Sequence, residues 1–372
     1  MNSEKITQAL HEVEESDKAL AAAFERRLDA IKVIAEYRRE HGIPVPAEPD
    51  GGERAQELSA VITDAEKRPY YMSFFQGALS ASEKYHRRIM QGVRVAYTGV
   101  KGAFANIAAS RIFPEGEMVS YPDFAASYTA VERGECDCAV LPIENSYAGE
   151  VGQVIELMFS GKLYIGGVYS LRVKHNLLGL RGSTPSGVKK VVSHPQALHQ
   201  CAPYIQAHGY ECIQETNTAV AAQRVAEGGD PTVAAIASAE TAKLYGLEVL
   251  DHDINESGDN TTRFAVFSRT PNIDEDHRDR SRFLLMFILQ NVPGALASAI
   301  NVISSYGFNM KVIRSRPIKE PAWEYYFYVE AEGDEESENG RRMISELRQH
   351  CRVLKVVGHY SDDIRLGASS II

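Results

Sequence analysis

The run Asn260-Thr261-Thr262-Arg263-Phe264 sets two hydroxyls, a carboxamide and a guanidinium at one boundary. There an acidic, glycine-containing loop from Asp251 to Asp259 gives way to apolar Ala265-Val266-Phe267. The segment that follows favours strand, so these groups are expected on rigid backbone where a loop becomes a strand. Alternation along that strand puts Thr262 and Phe264 on one face, with Thr261 and Arg263 on the other. Two more polar clusters lie upstream. Pro142-Ile143-Glu144-Asn145-Ser146 closes the apolar run Cys138 to Leu141, and Ser193-His194-Pro195-Gln196-Ala197-Leu198-His199-Gln200 follows Val188 to Val192. Each cluster sits just past a predicted strand, and in open α/β sheets ligands bind at the carboxyl ends of strands. Side chains of these types can hold an anion and donate hydrogen bonds to an oxygen that gains charge. Each stretch alone also has an ordinary explanation: threonine opens strands, arginine makes surface ion pairs, and Ser193 suits the cap of a helix that Pro195 would start. Capping does not explain Gln200, one helical turn beyond Gln196.

The elements that must carry these groups are readable from periodicity. A strand from Val93 to Tyr97 leads through the glycine turn Thr98 to Phe104 into a helical run from Ala105 to Phe113. A strand, a glycine turn and a helix N-terminus form a natural anion cradle, although the spacing is not that of a dinucleotide fingerprint. Further strands are predicted at Leu163 to Tyr169, Arg172 to Leu178, Glu211 to Gln214 and Val233 to Ala237. Helices are predicted at Ser127 to Arg133, Gly152 to Phe159, Pro195 to His208, Thr218 to Glu227 and Glu240 to Tyr245. Alternating strands and helices predict two α/β lobes, the chain crossing between them twice, with a cleft that Thr216, Thr218 and Ser238 could line or merely cap.

At 372 residues the chain exceeds one typical core, so two or three domains are expected. Its net charge of −10 argues against nucleic acid or an anionic membrane as partner. An anionic substrate would then need a local positive site. No signal-like N-terminal run and no membrane-length apolar stretch is present. Five scattered cysteines suit reduced thiols in a cytoplasmic protein. Cys136 and Cys138 read better as strand alternation than as metal ligands, and Asp251-His252-Asp253 as a solvated loop.

Together the three clusters resemble the prephenate dehydratase family, over about residues 93 to 270. The family has an ENxxxG-like stretch, an SHPQALxQC stretch and a TRF triplet, and this chain carries all three in order at similar separations. The resemblance implies catalytic roles for Asn145, Ser193, Gln200 and Thr262. It implies substrate contacts for Glu144, Thr261, Arg263, Phe264, Gly102, Ala103 and Phe104. The family's glycine turn usually carries small hydroxyl residues where this chain has Ala103 and Ala105, and a proline where it has Val100. The implied reaction converts prephenate to phenylpyruvate with loss of water and carbon dioxide, and it needs no cofactor. A threonine hydroxyl titrates far too high to be a strong acid. Thr262 is therefore expected to donate a hydrogen bond to the leaving oxygen while Asn145 and Gln200 orient the ring and Arg263 and exposed backbone N–H groups counter the carboxylates. A different class of protein, a non-catalytic amino-acid sensor on the same architecture, would bind without turnover and tolerate loss of Thr262.

Two flanking regions complete the organisation. Ile6, Leu10, Val13, Leu20, Phe24, Leu28, Ile31 and Ala35 fall at helical spacing, which predicts one helix over 4–40 on the order of 50 Å long. A proline loop (Pro44, Pro46, Pro49), a helix from Glu53 to about Glu66 and a third from Tyr70 to about Gln91 follow. Three such helices cannot bury their apolar stripes within one chain, so an intertwined homodimer, or a homotetramer built from it, is expected. The region resembles, in architecture, the helical chorismate mutase domain often fused ahead of prephenate dehydratase. Arg27 and Arg38 match two of that family's basic positions. Leu10, His11, Ala47, Asp50, Gly51, Ser82 and His86 stand where its other active-site residues are expected.

At the C-terminal end, beyond a charged linker near Asp274 to Arg280, the pattern reads βαββαβ. Strands are predicted at Arg282 to Leu289, Met310 to Arg316, Trp323 to Val329 and Val353 to His359. The stretch Asn291 to Leu296 is predicted to open a helix reaching about Tyr306, and a second helix is predicted from about Glu336 to His350. This ferredoxin-like pattern resembles the ACT domain of the same enzymes, which binds phenylalanine. The resemblance implies effector contacts from Gly294, Ala295, Leu296, Asn309, Ser315, Arg316 and Pro317, with Arg314 standing where the family has glutamate. The expected fold is thus a three-helix mutase-like domain (1–91), a two-lobed α/β dehydratase domain resembling periplasmic binding proteins (92–272) and an ACT domain (281–361).

Overall fold

A computed structural model describes residues 3–41, 56, 58–256, 258–271, 281–318, 324–361 and 364–367. Two compact units emerge, Met1–Val93 and Arg94–Ile372, and each is described by itself. In the first, α1 (Ser3–Glu40) packs against α2 (Arg68–Gln91). Contact is confined to the later turns of α1, where Ala35 is fully buried and Arg27 Nε donates to Ser82 Oγ at 2.9 Å. Ile6, Leu10, Val13 and Leu20 remain exposed. Most of the proline loop and the start of the expected second helix lie outside the described residues. Gln56, Leu58 and Ser59 are helical, but the chain then turns, so no helix reaches Glu66. Asp64 is the cause: its carboxylate accepts from Glu66 N (3.0 Å) and its carbonyl from Lys67 N (3.2 Å), a local turn that competes with helix.

Among the described residues the second unit holds three sheets. Among the described residues the first runs β16 (Ile364–Leu366), β5 (Tyr164–Arg172), β11 (Thr261–Ser268), β3 (Cys138–Asn145), β1 (Arg94–Thr98) and β2 (Glu117–Tyr121), with β4 (Gly149–Glu150) also paired to β3. β1, β2 and β3 are parallel, while β11 lies antiparallel between β3 and β5. Helices α3 (Phe104–Ile112), α4 (Phe124–Glu132) and α5 (Gly152–Ser160) make the crossovers. Asp123 caps α4 by accepting from Ala126 N at 2.7 Å.

The second sheet is β10 (Glu248–Asp251), β6 (Asn176–Gly179), β9 (Val233–Ala237), β7 (Lys190–Ser193) and β8 (Glu211–Gln214). Around it lie α6 (Pro195–Gln200), α7 (Ala202–His208), α8 (Thr218–Gly228) and α9 (Ala239–Tyr245). The chain passes between these two sheets at residues 173–175 and returns through 252–256 and 258–260, the two crossings that alternation predicted. The single helix expected from Pro195 to His208 is two helices. Pro203 lacks the N–H an unbroken helix needs, and the backbone leaves helical geometry at Cys201 (φ −110°, ψ 12°). His194, not Ser193, caps α6: its Nδ1 accepts from Gln196 N at 3.2 Å.

The third sheet, in the order β13 (Asn309–Pro317), β14 (Tyr325–Glu332), β12 (Ser281–Leu289) and β15 (Cys351–Ser361), is antiparallel throughout and carries α10 (Ala295–Ser305) and α11 (Glu338–His350). The nearly unbroken apolar run of β12 has a simple cause: both faces are covered. Phe283, Leu285 and Phe287 pack against Ile303, Met343 and Leu347 of the helices. Leu284, Met286 and Ile288 join Leu141, Ile143 and Met158 of the first lobe. Burying each such side chain contributes about 1.5–3 kcal/mol, so this sheet is welded to the lobe that carries the first two polar clusters. The strands meet so closely at Gly358 (φ 147°) that a Cβ there would lie 2.3 Å from the carbonyl oxygen of Ile165.

Candidate active site

Three elements converge between the two α/β lobes. Asn145 ends β3 and stands directly across the ladder from Thr262, the second residue of β11. Gln200 ends α6 in the other lobe, while His175 and Asn260 sit on the two crossing segments. All five side chains are at most 9% exposed. They form one continuous chain of hydrogen bonds. Asn145 Nδ2 donates to Thr262 Oγ1 and to Asn260 Oδ1, each at 2.9 Å. Asn260 Nδ2 donates to Gln200 Oε1 at 2.9 Å, and His175 Nε2 lies 2.9 Å from the same oxygen. Asn145 Oδ1 is held in turn by the N–H groups of Tyr147 (3.0 Å) and Ala148 (2.9 Å). Because Thr262 Oγ1 accepts from Asn145, its own O–H remains free to donate outward.

The outward direction is a cleft of about 870 Å³ lined by Asn145, Thr262, Asn260, Gln200, His175, Phe104, Phe124 and Phe264. Among the described lining residues there is no Asp, Glu, Lys or Arg. Burial pushes the His194 and His175 imidazoles below their ordinary value; a hydrogen bond to Gln200 partly offsets this for His175. Both are therefore neutral near pH 7. The site works with dipoles, and the first turn of α3 adds to them. Ala103, Phe104 and Ala105 line the cleft, and no side chain caps that helix, so its N–H groups are open to an anion.

The structure brings together Asn145, Gln200, Thr262, Phe264, Ala103 and Phe104. It takes five other expected residues elsewhere. Ser193 is fully buried and donates to the carbonyl of Ile236 at 2.6 Å, tying β7 to β9. Strand alternation turns Thr261 and Arg263 away from the cleft, and Glu144 sits on the same far side. The Arg263 guanidinium pairs with Glu144 (3.0 Å) and Glu330 (3.1 Å) and lies 3.3 Å from the Tyr360 hydroxyl. Glu144 also receives Arg314 at 2.5 Å. Arg263 is thus spent between the lobe and the third sheet and does not reach the cleft. Gly102 turns at φ 89° behind it, its N–H bonded to Asn106 Oδ1 at 3.0 Å. Thr216 and Thr218 do line the cleft, whereas Ser238 caps α9 through Thr241 N.

Glu330, 1% exposed, has two opposing influences. Burial pushes its carboxyl up, but the Arg263 charge and the hydroxyls of Tyr328 and Tyr360 prevail and hold it below the usual range. Among the described residues, the expected effector residues fall in separate places. Ala295 and Leu296 line a small cavity of about 160 Å³ with Asn291, Val292 and Arg352, next to the turn at Gly294 (φ 83°). Asn309 instead donates to Glu332 (2.7 Å), and Arg316 reaches the carbonyl of Gly152 (3.1 Å), while Ser315 and Pro317 lie exposed on β13. In the helical unit Arg27 stands over the Phe75 ring at 5.9 Å. Burial, then the charge of Arg38, lowers the pKa of His86.

Sequence reasoning missed His175 and did not single out Asn260. His175 had no local signal, lying in an extended crossing after an exposed lysine. Asn260 was visible as the polar residue that opens the threonine run.

A two-lobed α/β cleft lined by amides, threonine hydroxyls and aromatic rings defines a small-molecule site with no charged side chain among its described lining residues. Comparison with known proteins gives the family. Residues 95–272 match the prephenate dehydratase family model. Arogenate dehydratase/prephenate dehydratase 2 of Arabidopsis thaliana is 34% identical over 84% of this chain and 83% of its own length. The bifunctional chorismate mutase/prephenate dehydratase of Aquifex aeolicus is 29% identical over 96% of this chain and 98% of its own. A crystal structure of prephenate dehydratase from Arthrobacter aurescens in complex with L-Phe superposes with a TM-score of 0.67 at 25% identity, covering 72% of this chain and 90% of that one. The chain belongs to the prephenate dehydratase family.

Proposed function

We infer that the protein converts prephenate to phenylpyruvate, carbon dioxide and water. The C–C bond to the ring carboxylate breaks as carbon dioxide leaves. Its electron pair forms the last ring double bond, and the ring C–O bond breaks with the departing oxygen taking up a proton from solvent. Aromatisation drives the step, so the protein need only hold the dianion and stabilise charge that grows on the leaving oxygen. The observation that carries this reading is the Thr262 hydroxyl, fixed as an acceptor by Asn145 Nδ2 at 2.9 Å and so left to donate into the cleft. The open N–H groups of α3 suit a carboxylate, and Phe104, Phe124 and Phe264 suit the ring. Arg263 plays no direct part. Purified protein incubated with prephenate at neutral pH should release phenylpyruvate and carbon dioxide in equal amounts, well above the uncatalysed blank; a rate equal to the blank refutes the reading.

The third sheet with its two helices is an ACT-type regulatory domain for phenylalanine, and the N-terminal pair of helices belongs to a chorismate mutase-like domain. Exposed Ile6, Leu10, Val13 and Leu20 on α1 support pairing of two chains along that helix. Arg27 is already engaged by Ser82 and Phe75, so mutase turnover is tested directly with chorismate on the full chain.

A further inference from the structure

His175 enters none of the chemistry above, yet it is 3% exposed beside Gln200. The Gln200 carboxamide is asymmetrically satisfied. Its Oε1 takes two donors at 2.9 Å, from Asn260 Nδ2 and from His175 Nε2, while its Nε2 has no partner among the described residues. For His175 Nε2 to donate, the neutral imidazole must carry its proton there and leave Nδ1 bare. Nδ1 indeed has no partner among the described residues, and the ring meets Phe104 edge-on at 5.6 Å. A buried donor left unsatisfied is costly, because it has given up its hydrogen bonds to water and gained none. An oxygen arriving in the cleft, which Gln200 lines, would offset that cost.

We propose that His175 is a positioning residue for the dehydration: through Nε2–H it pins the Gln200 carboxamide so that the amide hydrogens of Gln200 are reserved for an oxygen of the substrate. The role follows from where the residues sit. His175 lies on the outgoing crossing, Asn260 on the returning one, and Gln200 on the second lobe. With both crossings holding the oxygen end, the carboxamide cannot turn over without leaving two donors unpaired. Without His175, one donor still fixes Oε1, but the amide gains freedom and presents oxygen to an anion for part of the time. The proposal rests on the dehydratase reading for the identity of the oxygen, not for the pinning itself.

The test therefore has two arms. In the ligand-free full chain labelled with 15N-histidine, the His175 resonance, identified by its loss in H175N, should show a protonated Nε2 and an unprotonated Nδ1 at pH 7. A protonated Nδ1 overturns the proposal whatever the substrate. In the second arm kcat and KM for prephenate are compared. H175Q, whose amide nitrogen reaches the place of Nε2, should keep kcat/KM near that of the wild type. H175N, one methylene short, should lose about tenfold with an unchanged melting temperature. In a Q200A background the two substitutions should have the same small effect. Equal activity of H175Q and H175N, or a loss of the same size with and without Gln200, assigns His175 to packing and overturns the proposal. A wild-type chain that shows the expected tautomer but turns over no prephenate refutes the dehydratase reading and leaves the pinning intact.

Discussion

Replacing Glu330 with alanine isolates the charge cluster between the catalytic lobe and the third sheet. The carboxylate is 1% exposed and receives the Arg263 guanidinium along with the hydroxyls of Tyr328 and Tyr360. Removing it leaves two buried hydroxyls without their acceptor. Arg263 loses its most buried counter-charge and keeps Glu144, at 3.0 Å, which it already shares with Arg314. Breaking a buried pair in this way costs about 3–5 kcal/mol. For domains of 150–250 residues each kcal/mol moves the melting temperature by about 2–4 °C, so E330A should melt roughly 6–20 °C lower. E330Q keeps an acceptor for the tyrosines and should lose less. The pH sign follows from the folded-state carboxyl, which lies below its unfolded value. Its contribution is complete above the unfolded carboxyl pKa of about 4.3 and is lost as pH falls through the lower folded value. The gap between wild type and E330A should therefore be full at pH 7 and narrow in acid. Scanning calorimetry at both pH values is the assay. A shift of about 1 °C or less at pH 7, or a gap that widens in acid, refutes the reasoning.

Gly358→Ala should destabilise markedly, because φ is 147° and the new Cβ would meet the Ile165 carbonyl at 2.3 Å; a denaturant midpoint equal to wild type contradicts the close approach. His359 is raised by its hydrogen bond to buried Glu335, 3.1 Å away. Its contribution is full below the unfolded histidine pKa of about 6.5 and disappears as pH rises through the folded value. H359N should flatten that part of the stability–pH curve. L-phenylalanine should raise the melting temperature of the full chain, and a tenfold excess over the dissociation constant should add about 1.4 kcal/mol; an unchanged melting temperature at saturating amino acid removes the regulatory role.

Strands with strong alternation or two covered faces were legible in the sequence. β1 with its turn into α3, the crossings between lobes and the whole βαββαβ order of the third sheet fall where the sequence pattern places them. β2 and β10 were not foreseen, since Glu117–Tyr121 is only half-buried and Glu248–Asp251 is a four-residue edge strand whose apolar signal is weak. The break at Cys201 was foreseeable from Pro203, but apolar periodicity on both sides hid it. At the site, Asn145, Gln200 and Thr262 were legible as residue types at strand and helix ends. Arg263 was misassigned because its partner Glu330 lies 67 residues downstream, and no local pattern announces a pairing so distant. The same holds for His175, whose role depends on an oxygen contributed by α6.

The most direct measurement is single-turnover conversion of prephenate by T262V, which keeps the shape of Thr262 and removes only its hydroxyl. Asn145 retains Asn260 as acceptor in that variant, so the cleft should persist and substrate should bind with near-normal affinity. Loss of one oriented donor should slow the chemical step by about 10²–10³. A T262V enzyme that forms phenylpyruvate at nearly the wild-type rate would contradict the claim that this hydroxyl stabilises the leaving oxygen.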